Sequence, residues 1–276
     1  MKDHDLLSIK EFSELTGVKQ SKLRYYDDIK LFKPMKRGEN GYRYYSVIQA
    51  IAINCINVMH NMNIPVKKFV ELKKERTPEQ ILELLHEHEL DLNRELFRLQ
   101  QAYLIVHTYS RLIREGLAAD EGSISCRWME AVPIEIGAVN DFSSGHFYSS
   151  FFSFLNQMAD HKVNPAFPAG GYYESMDDFV NAPGQPVRYF IHFPEGRDCK
   201  DAGEYLVGYT RGYYGNLGDL PRRMEDYAKA NDVVLEGPVY EMYLHDEISV
   251  GDHDQYLIQV SARISKTNGK KRRSNR

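Results

Sequence analysis

The chain has 276 residues, 42% of them hydrophobic and 27% charged, with a formal net charge of -4. This is the composition of a folded globular protein with room for two or three domains, and it excludes a wholly disordered or fibrous chain. No segment approaches the roughly 20 apolar residues that span a bilayer, and the start MKDHDLLSIKEF has no apolar secretory core, so the expectation is a cytoplasmic protein with no membrane partner. The charge is unevenly divided: residues 1–76 hold 15 Lys+Arg against 9 Asp+Glu, 77–124 hold 4 against 9, 125–265 hold 10 against 21, and 266–276 hold 6 against none. The two ends suit polyanions and the middle does not. Cys55, Cys126 and Cys199 are far apart and form no Cys-x-x-Cys pair, so no disulfide framework, metal cradle or other cofactor site is indicated.

In chain order, Ser8 followed by Glu11 is a capping-box start, and Ile9, Phe12 and Leu15 give the ensuing helix one apolar face that ends at Gly17. A second short helix over Gln20 to Asp27 carries Lys19, Lys22 and Arg24 beside Tyr25 and Tyr26. This is a helix-turn-helix pattern, in which one helix braces and the next presents long donors to DNA. Gln20, Ser21 and Lys22 suit base edges; Arg24 and the tyrosine hydroxyls suit phosphates. Next, MKRGENGYRYYS contains Asn40-Gly41, a two-residue hairpin signal, and Tyr42, Arg43, Tyr44 and Tyr45 form the returning strand of a wing. Alternation places Tyr42 and Tyr44 on one face and Arg43 and Tyr45 on the other, so that one set packs while the second approaches a phosphate. Helices are then expected over Ser46 to Met62 and Val66 to Arg76, with His60 a candidate phosphate contact or a packing histidine.

The stretch LRYYDDIKLFKP, followed by NGYRYYS and a helix pair, resembles the MerR family of bacterial transcription regulators over about residues 6–76. The resemblance implies a winged helix-turn-helix dimer on promoter DNA, bending and untwisting an overlong spacer to realign the promoter elements for RNA polymerase. It makes Arg24, Tyr25 and Arg43 backbone contacts and sends the Lys19 to Asp27 helix into the major groove. Family members usually carry Lys or Arg near His60 and Gly near Asn63; Asn tolerates the left-handed backbone that such a Gly adopts.

Thr77-Pro78-Glu79-Gln80 is an N-cap, a first-turn Pro and an acid, and neither Gly nor Pro recurs until Gly116. One helix over 77–115 is therefore expected. Alternate steps of three and four align Leu82, Leu85, Leu92, Leu96, Leu99, Tyr103, Val106 and Ile113 in a heptad seam interrupted by Glu89 and Ser110. A partner helix is required, either within the chain or, as the resemblance implies, in a second subunit as an antiparallel coiled coil. Leu85, Leu92, Leu96, Leu99, Tyr103 and Val106 are the dimerisation candidates.

After a small-residue, acidic linker at 116–124, residues 125–265 read as an α+β domain of two strand-helix-strand-strand units around a shared groove. RWMEAVPIEIGAV is a strand broken by Pro133, HFYSSFFSFLNQMADH a helix, and AGGYYESM and PVRYFIHF strands. EYLVGYTRG, GNLGDLPRRMEDYAKAN, VYEMYLH and QYLIQVSARIS repeat that order. Tyrosine density and negative charge predict a groove for delocalised cations. Glu241, level with Val239 and Tyr243 and opposite Tyr240, is either paired to an Arg such as Arg188 or Arg263 or open to a ligand.

Tyr213-Tyr214-Gly215-Asn216-Leu217 and Gly237-Pro238-Val239-Tyr240-Glu241 look like the GyrI-like effector-binding domain of the multidrug-sensing, BmrR-like MerR subgroup. That similarity implies Glu241 as the buried ligand acid and Tyr148, Tyr172, Tyr189 and Tyr256 as aromatic wall, with a cationic, aromatic small molecule as effector. Two alternatives stay open: a metal- or redox-sensing regulator, and a small-molecule hydrolase with Glu241 as general base. The polar tail 266–276 is expected to be disordered and basic, adding solubility or non-specific DNA affinity.

Overall fold

The computed structural model describes residues 6–65, 68, 77–142 and 147–265. It separates into two compact units, Met1–Leu96 and Phe97–Arg276. The helix expected over Val66 to Arg76 and the tail 266–276 lie outside the described residues, Lys68 excepted.

In the first unit, strand β1 (Leu6–Ser8) leads into helix α1 (Ile9–Thr16), whose capping box is complete: the Glu11 amide donates to Ser8 Oγ and the Ser8 amide to Glu11 Oε2. Gly17, at φ +70°, ends α1. Helix α2 (Gln20–Asp28) follows, then strands β2 (Lys36–Arg37) and β3 (Arg43–Ser46) and helix α3 (Gln49–Asn61). The strands form a small antiparallel sheet in the order β1-β3-β2. The β2–β3 loop is one residue longer than the two-residue signal suggests. The Gly38 amide donates to Tyr42 O, the Gly41 amide donates to Gly38 O, and Gly41 sits at φ +79°, the three-residue hairpin with its left-handed final position. Asn63 takes the left-handed backbone that its place in the turn requires, at φ +59°.

The head closes on stacked rings. Tyr45 lies 4.7 Å from Phe12 and 5.7 Å from Phe32 between ring centroids, above Leu23, Tyr26, Ile53 and Ile56. Of the two faces of β3, it is the Arg43 and Tyr45 face that packs, while Tyr42 is exposed.

Helix α4 (Pro78–Ala118) is 41 residues long. Thr77 caps it, its Oγ1 accepting from the Gln80 amide. The helix does not stop at Gly116. The His245 imidazole lies where a Cβ on Gly116 would sit, and its Nε2 is 3.2 Å from Ile113 O, so the glycine serves close approach rather than termination. The linker shrinks accordingly, to a turn between Ala118 and the next strand.

The second unit is built on one antiparallel eight-stranded sheet of β4 (Ile124–Met129), β5 (Val132–Val139), β6 (Ala169–Tyr173), β7 (Arg188–Ile191), β8 (Asp198–Lys200), β9 (Gly203–Arg211), β10 (Leu235–His245) and β11 (Leu257–Ile264), in the order β4-β9-β11-β10-β6-β7-β5-β8. Helices α5 (Phe147–Asp160), α6 (Met176–Asn181) and α7 (Leu220–Ala230) complete it. Pro133 does not break a strand. It lies inside β5, and the break falls at Glu130-Ala131, so the segment makes two separate strands. The β5-α5-β6-β7 and β9-α7-β10-β11 runs join through the antiparallel β6–β10 pair, which sets Gly171 opposite Glu241 and Tyr173 opposite Val239.

The Tyr45 hydroxyl is buried with no hydrogen-bond partner, so the ring carries the stabilisation and the oxygen adds none. Tyr45→Phe should leave head stability unchanged or slightly raised, and Tyr45→Ala should cost about 3–5 kcal/mol by chemical denaturation. A large loss in the Phe variant would show that the hydroxyl has a partner.

Candidate functional site

Two regions carry chemistry. In the head, α2 buries Leu23, Tyr26 and Asp27 and turns Lys19, Ser21, Arg24 and Tyr25 to solvent, with Gln20 and Lys22 half-buried. Arg24 Nη2 donates to Gln20 Oε1 and Lys22 Nζ stands 5.8 Å over the Tyr26 ring, so both cations are held on the helix surface. Arg43 is placed differently. Its Nε donates to Asp27 Oδ2 at 2.6 Å, Arg37 meets the same oxygen, and Asp28 lies within 3.5 Å. These contacts tie the hairpin to α2 through Arg37 and Arg43. His60 is exposed in the last turn of α3.

Along α4, Leu92, Leu96, Leu99, Tyr103 and Val106 are exposed, from 47% at Leu92 to 69% at Tyr103. Leu85 differs from them: it packs against the head's own core beside Leu84.

In the second unit a cavity of about 170 Å³ opens against β6 and β10. Glu241 is at its floor. Strand alternation sends its carboxyl into the cavity and Tyr240 to the opposite sheet face, and the residue is only 4% exposed. Gly171 makes room at the carboxyl, where a Cβ would press on Pro186 and Glu241 Oε2, whereas a Cβ on Gly170 would strike Glu241 O and the Phe190 ring, so that glycine permits the close approach of β10. The Tyr173 hydroxyl donates to Glu241 Oε2 at 3.0 Å and itself accepts from the Gly184 amide at 3.0 Å. Tyr243 brings a second hydroxyl close to the carboxyl but without hydrogen-bond geometry, leaving that buried oxygen without a partner.

Among the described residues no Lys or Arg pairs with Glu241: Arg188 Nη1 donates to Gly137 O and Arg263 Nη1 to Asp201. Burial pushes the Glu241 carboxyl up to about 7, against the smaller downward pull of the two tyrosines. Glu135 shows the alternative outcome. It is as little exposed, and burial also pushes it upward, but Arg197 donates Nε at 2.8 Å and its amide at 3.0 Å, and the carboxyl sits below its usual range.

The walls are rings. Phe151, Phe167, Tyr189, Tyr214 and Tyr243 line the cavity, Tyr109 enters from α4, and Asp246 and Glu247 stand beyond the end of β10. Of the wall residues expected, Tyr189 is in the lining. Tyr256 backs it, 6.4 Å from Tyr243 and 5.9 Å from Tyr214, and Tyr148 is exposed outside it. Tyr172 requires correction: register puts it on the other sheet face, edge-on to Tyr240 and bonded to Glu174, and its neighbour Tyr173 takes the place at the carboxylate. That far face holds Lys200, buried between Tyr205 and Tyr240, with Nζ donating to Ser261 Oγ at 2.6 Å.

A basic helix-turn-helix head followed by a long helix and a sheet domain with an aromatic cavity is the architecture of a DNA-binding transcription regulator. Residues 8–45 match the family model described as MerR family regulatory protein. Over 264 residues the chain is 26% identical to the Multidrug-efflux transporter 2 regulator of Bacillus subtilis (strain 168), covering 92% of this chain and 94% of that protein. A second relative, the transcriptional regulator BrlR of Pseudomonas aeruginosa, is 28% identical over 95 residues, 33% of this chain and 35% of that one. The similarity to MerR-type regulators thus rests on the head and on one relative that spans nearly the whole chain. Among solved structures, the EcmrR–DNA complex in EcmrR-RPo covers 95% of this chain and all of that one at TM-score 0.40 and 16% identity. The EcmrR C-terminal domain covers 52% of this chain and 98% of that one at TM-score 0.38 and 14% identity. Both superpositions are too loose to bear on mechanism. No helix among the described residues is long and apolar enough to cross a membrane.

The raised Glu241 carboxyl makes stability depend on pH. The group is protonated in both states below its ordinary value of 4.5, and its burial cost appears as pH rises and is complete above about 7, where it reaches about 3 kcal/mol. Glu241→Gln should match wild type in melting temperature near pH 4.5 and exceed it by several degrees at pH 8. A constant difference across that range would contradict a raised Glu241.

Proposed function

We propose that this chain is a ligand-responsive activator that holds promoter DNA as a homodimer, distorts an overlong spacer for RNA polymerase, and takes lipophilic cationic or aromatic small molecules as effectors. The observation that carries the effector reading is Glu241, a buried carboxyl walled by tyrosines with no protein cation on it. A buried acid without a counter-charge is costly, and a cation arriving in its cavity gains both the ion pair and the ring faces. The relative named as regulator of a multidrug-efflux transporter supports the same class of effector.

On the DNA side, exposed Lys19, Ser21, Arg24 and Tyr25 on α2 enter the major groove with Gln20 and Lys22, and Tyr42 reaches a flanking phosphate from a wing set by the Arg43–Asp27 pair. His60 lends a further contact when its neighbours meet the duplex. The stripe from Leu92 to Val106 is covered by α4 of a second copy, which spaces two recognition helices along one face of DNA. Effector binding acts by preferring one of two states of this dimer.

Titration of a fluorescent aromatic monocation into the full chain tests the site: Glu241→Gln should bind at least about tenfold more weakly, and undiminished affinity removes Glu241 from the role. Light scattering should return twice the monomer mass, and Leu96→Glu with Leu99→Glu should return the monomer mass and lose promoter binding. A wild-type monomer at micromolar concentration contradicts the dimer.

A further inference from the structure

The cavity has a second negative pole that the cation reading leaves unused. Asp246 and Glu247, just past the end of β10, line the same space as Glu241. The Tyr214 hydroxyl donates to Glu247 Oε2, and Asp246 Oδ1 accepts from the Ile248 amide at 3.1 Å, so both carboxylates are held in place. Among the described residues no Lys or Arg forms an ion pair with Glu241, Asp246 or Glu247, whereas elsewhere in this unit Glu115 has Arg127, Glu121 has Arg211 and Asp201 has Arg263. Three carboxyl groups thus border one aromatic space, Glu241 at its buried floor and Asp246 and Glu247 at its more exposed end, and a single cationic centre cannot meet both ends.

The rings join the poles. Tyr189 and Tyr243 flank Glu241; Tyr109 and Tyr214 stand at Asp246 and Glu247. Phe151 bridges them, 5.2 Å from Tyr189 and 6.4 Å from Tyr214, and Tyr214 lies 4.8 Å from Tyr243. The buried Tyr243 hydroxyl lies at the Glu241 pole. Five to six residues of extended chain separate the poles, so the two charge positions lie on the order of 10 Å apart or more.

We infer that the preferred effectors are dications: molecules with two cationic centres joined by an apolar or aromatic span, one centre at Glu241 and the other at Asp246 and Glu247. This rests on the cation-binding reading of Glu241 and adds a charge count and a spacing to it. Ring faces along the span accept the apolar linker, and each end has both a carboxylate and a tyrosine π-face.

The test uses the full chain and calorimetric titration with α,ω-bis(trimethylammonium)alkanes of increasing length, each beside the mono-quaternary alkane of equal length. At least one bis-quaternary should bind about tenfold or more tightly than its mono-quaternary counterpart, with an optimum in length. Asp246→Asn with Glu247→Gln, which keeps the turn acceptors, should abolish that advantage and leave mono-quaternary affinity within about twofold, whereas Glu241→Gln should weaken both series. Glu247→Gln alone should lose part of the advantage, which guards against misfolding of the double variant. Equal affinity of the two series in wild type, or an advantage that survives the double substitution, overturns the inference while leaving mono-cation binding at Glu241 standing. Absence of binding by every member overturns both.

Discussion

A carboxyl group kept inside a sheet domain without a cation is the constraint on which the second unit of this molecule turns. Burial of an unpaired charge is among the costliest things a fold can do, and a chain free to choose would neutralise or pair it. This chain does pair Glu135, another little-exposed carboxyl, with the solvent-exposed Arg197. At Glu241 it supplies only tyrosine hydroxyls, which orient the group without supplying charge. Burial thereby raises the carboxyl to about 7, and under the proposed function an arriving cation would favour its ionised form.

The surrounding architecture follows from that placement. Gly171 lies opposite Glu241, where a side chain would press on the carboxyl, and Gly170 has none because one there would strike the β10 backbone and Phe190. The central β6–β10 pair joins the two strand-helix runs, so the cavity lies on the seam of the domain where both contribute walls. Helix α4 also reaches this unit: Tyr109 lines the cavity, Leu112 packs against the opposite-face cluster, and His245, at the end of the strand that bears Glu241, rests on Gly116. Tyr109 of the long helix therefore borders the cavity directly, and under the proposed function this contact is where an effector would act on the helix.

Much of this was legible in the sequence wherever the rule was local. Ser8 and Glu11 announced α1, Thr77 and Pro78 announced α4, and alternation on Val239 to Leu244 put Glu241 and Tyr240 on opposite faces. The misreadings come from facts that only tertiary neighbours decide. Gly116 reads as a stop because nothing in the chain reveals that His245 needs the room. Choosing Tyr172 over Tyr173 for the cavity was a one-residue parity error, resolvable only by knowing that β6 pairs with β10 in that register. Alternation paired Arg43 with Tyr45 but could not say which face packs; the rings of Phe12 and Phe32 decide it. Helix α6 and strand β8, six and three residues long, are too short for any periodicity to show.

The most direct test of the central claim is proton release on binding. Calorimetric titration of a monocationic aromatic ligand near pH 7, repeated in buffers of different ionisation enthalpy, should show up to about half a proton leaving per ligand as Glu241 ionises. The release should vanish in Glu241→Gln and at about pH 9. Tight binding with no proton release near pH 7, or with proton uptake, would mean that Glu241 does not meet the cation.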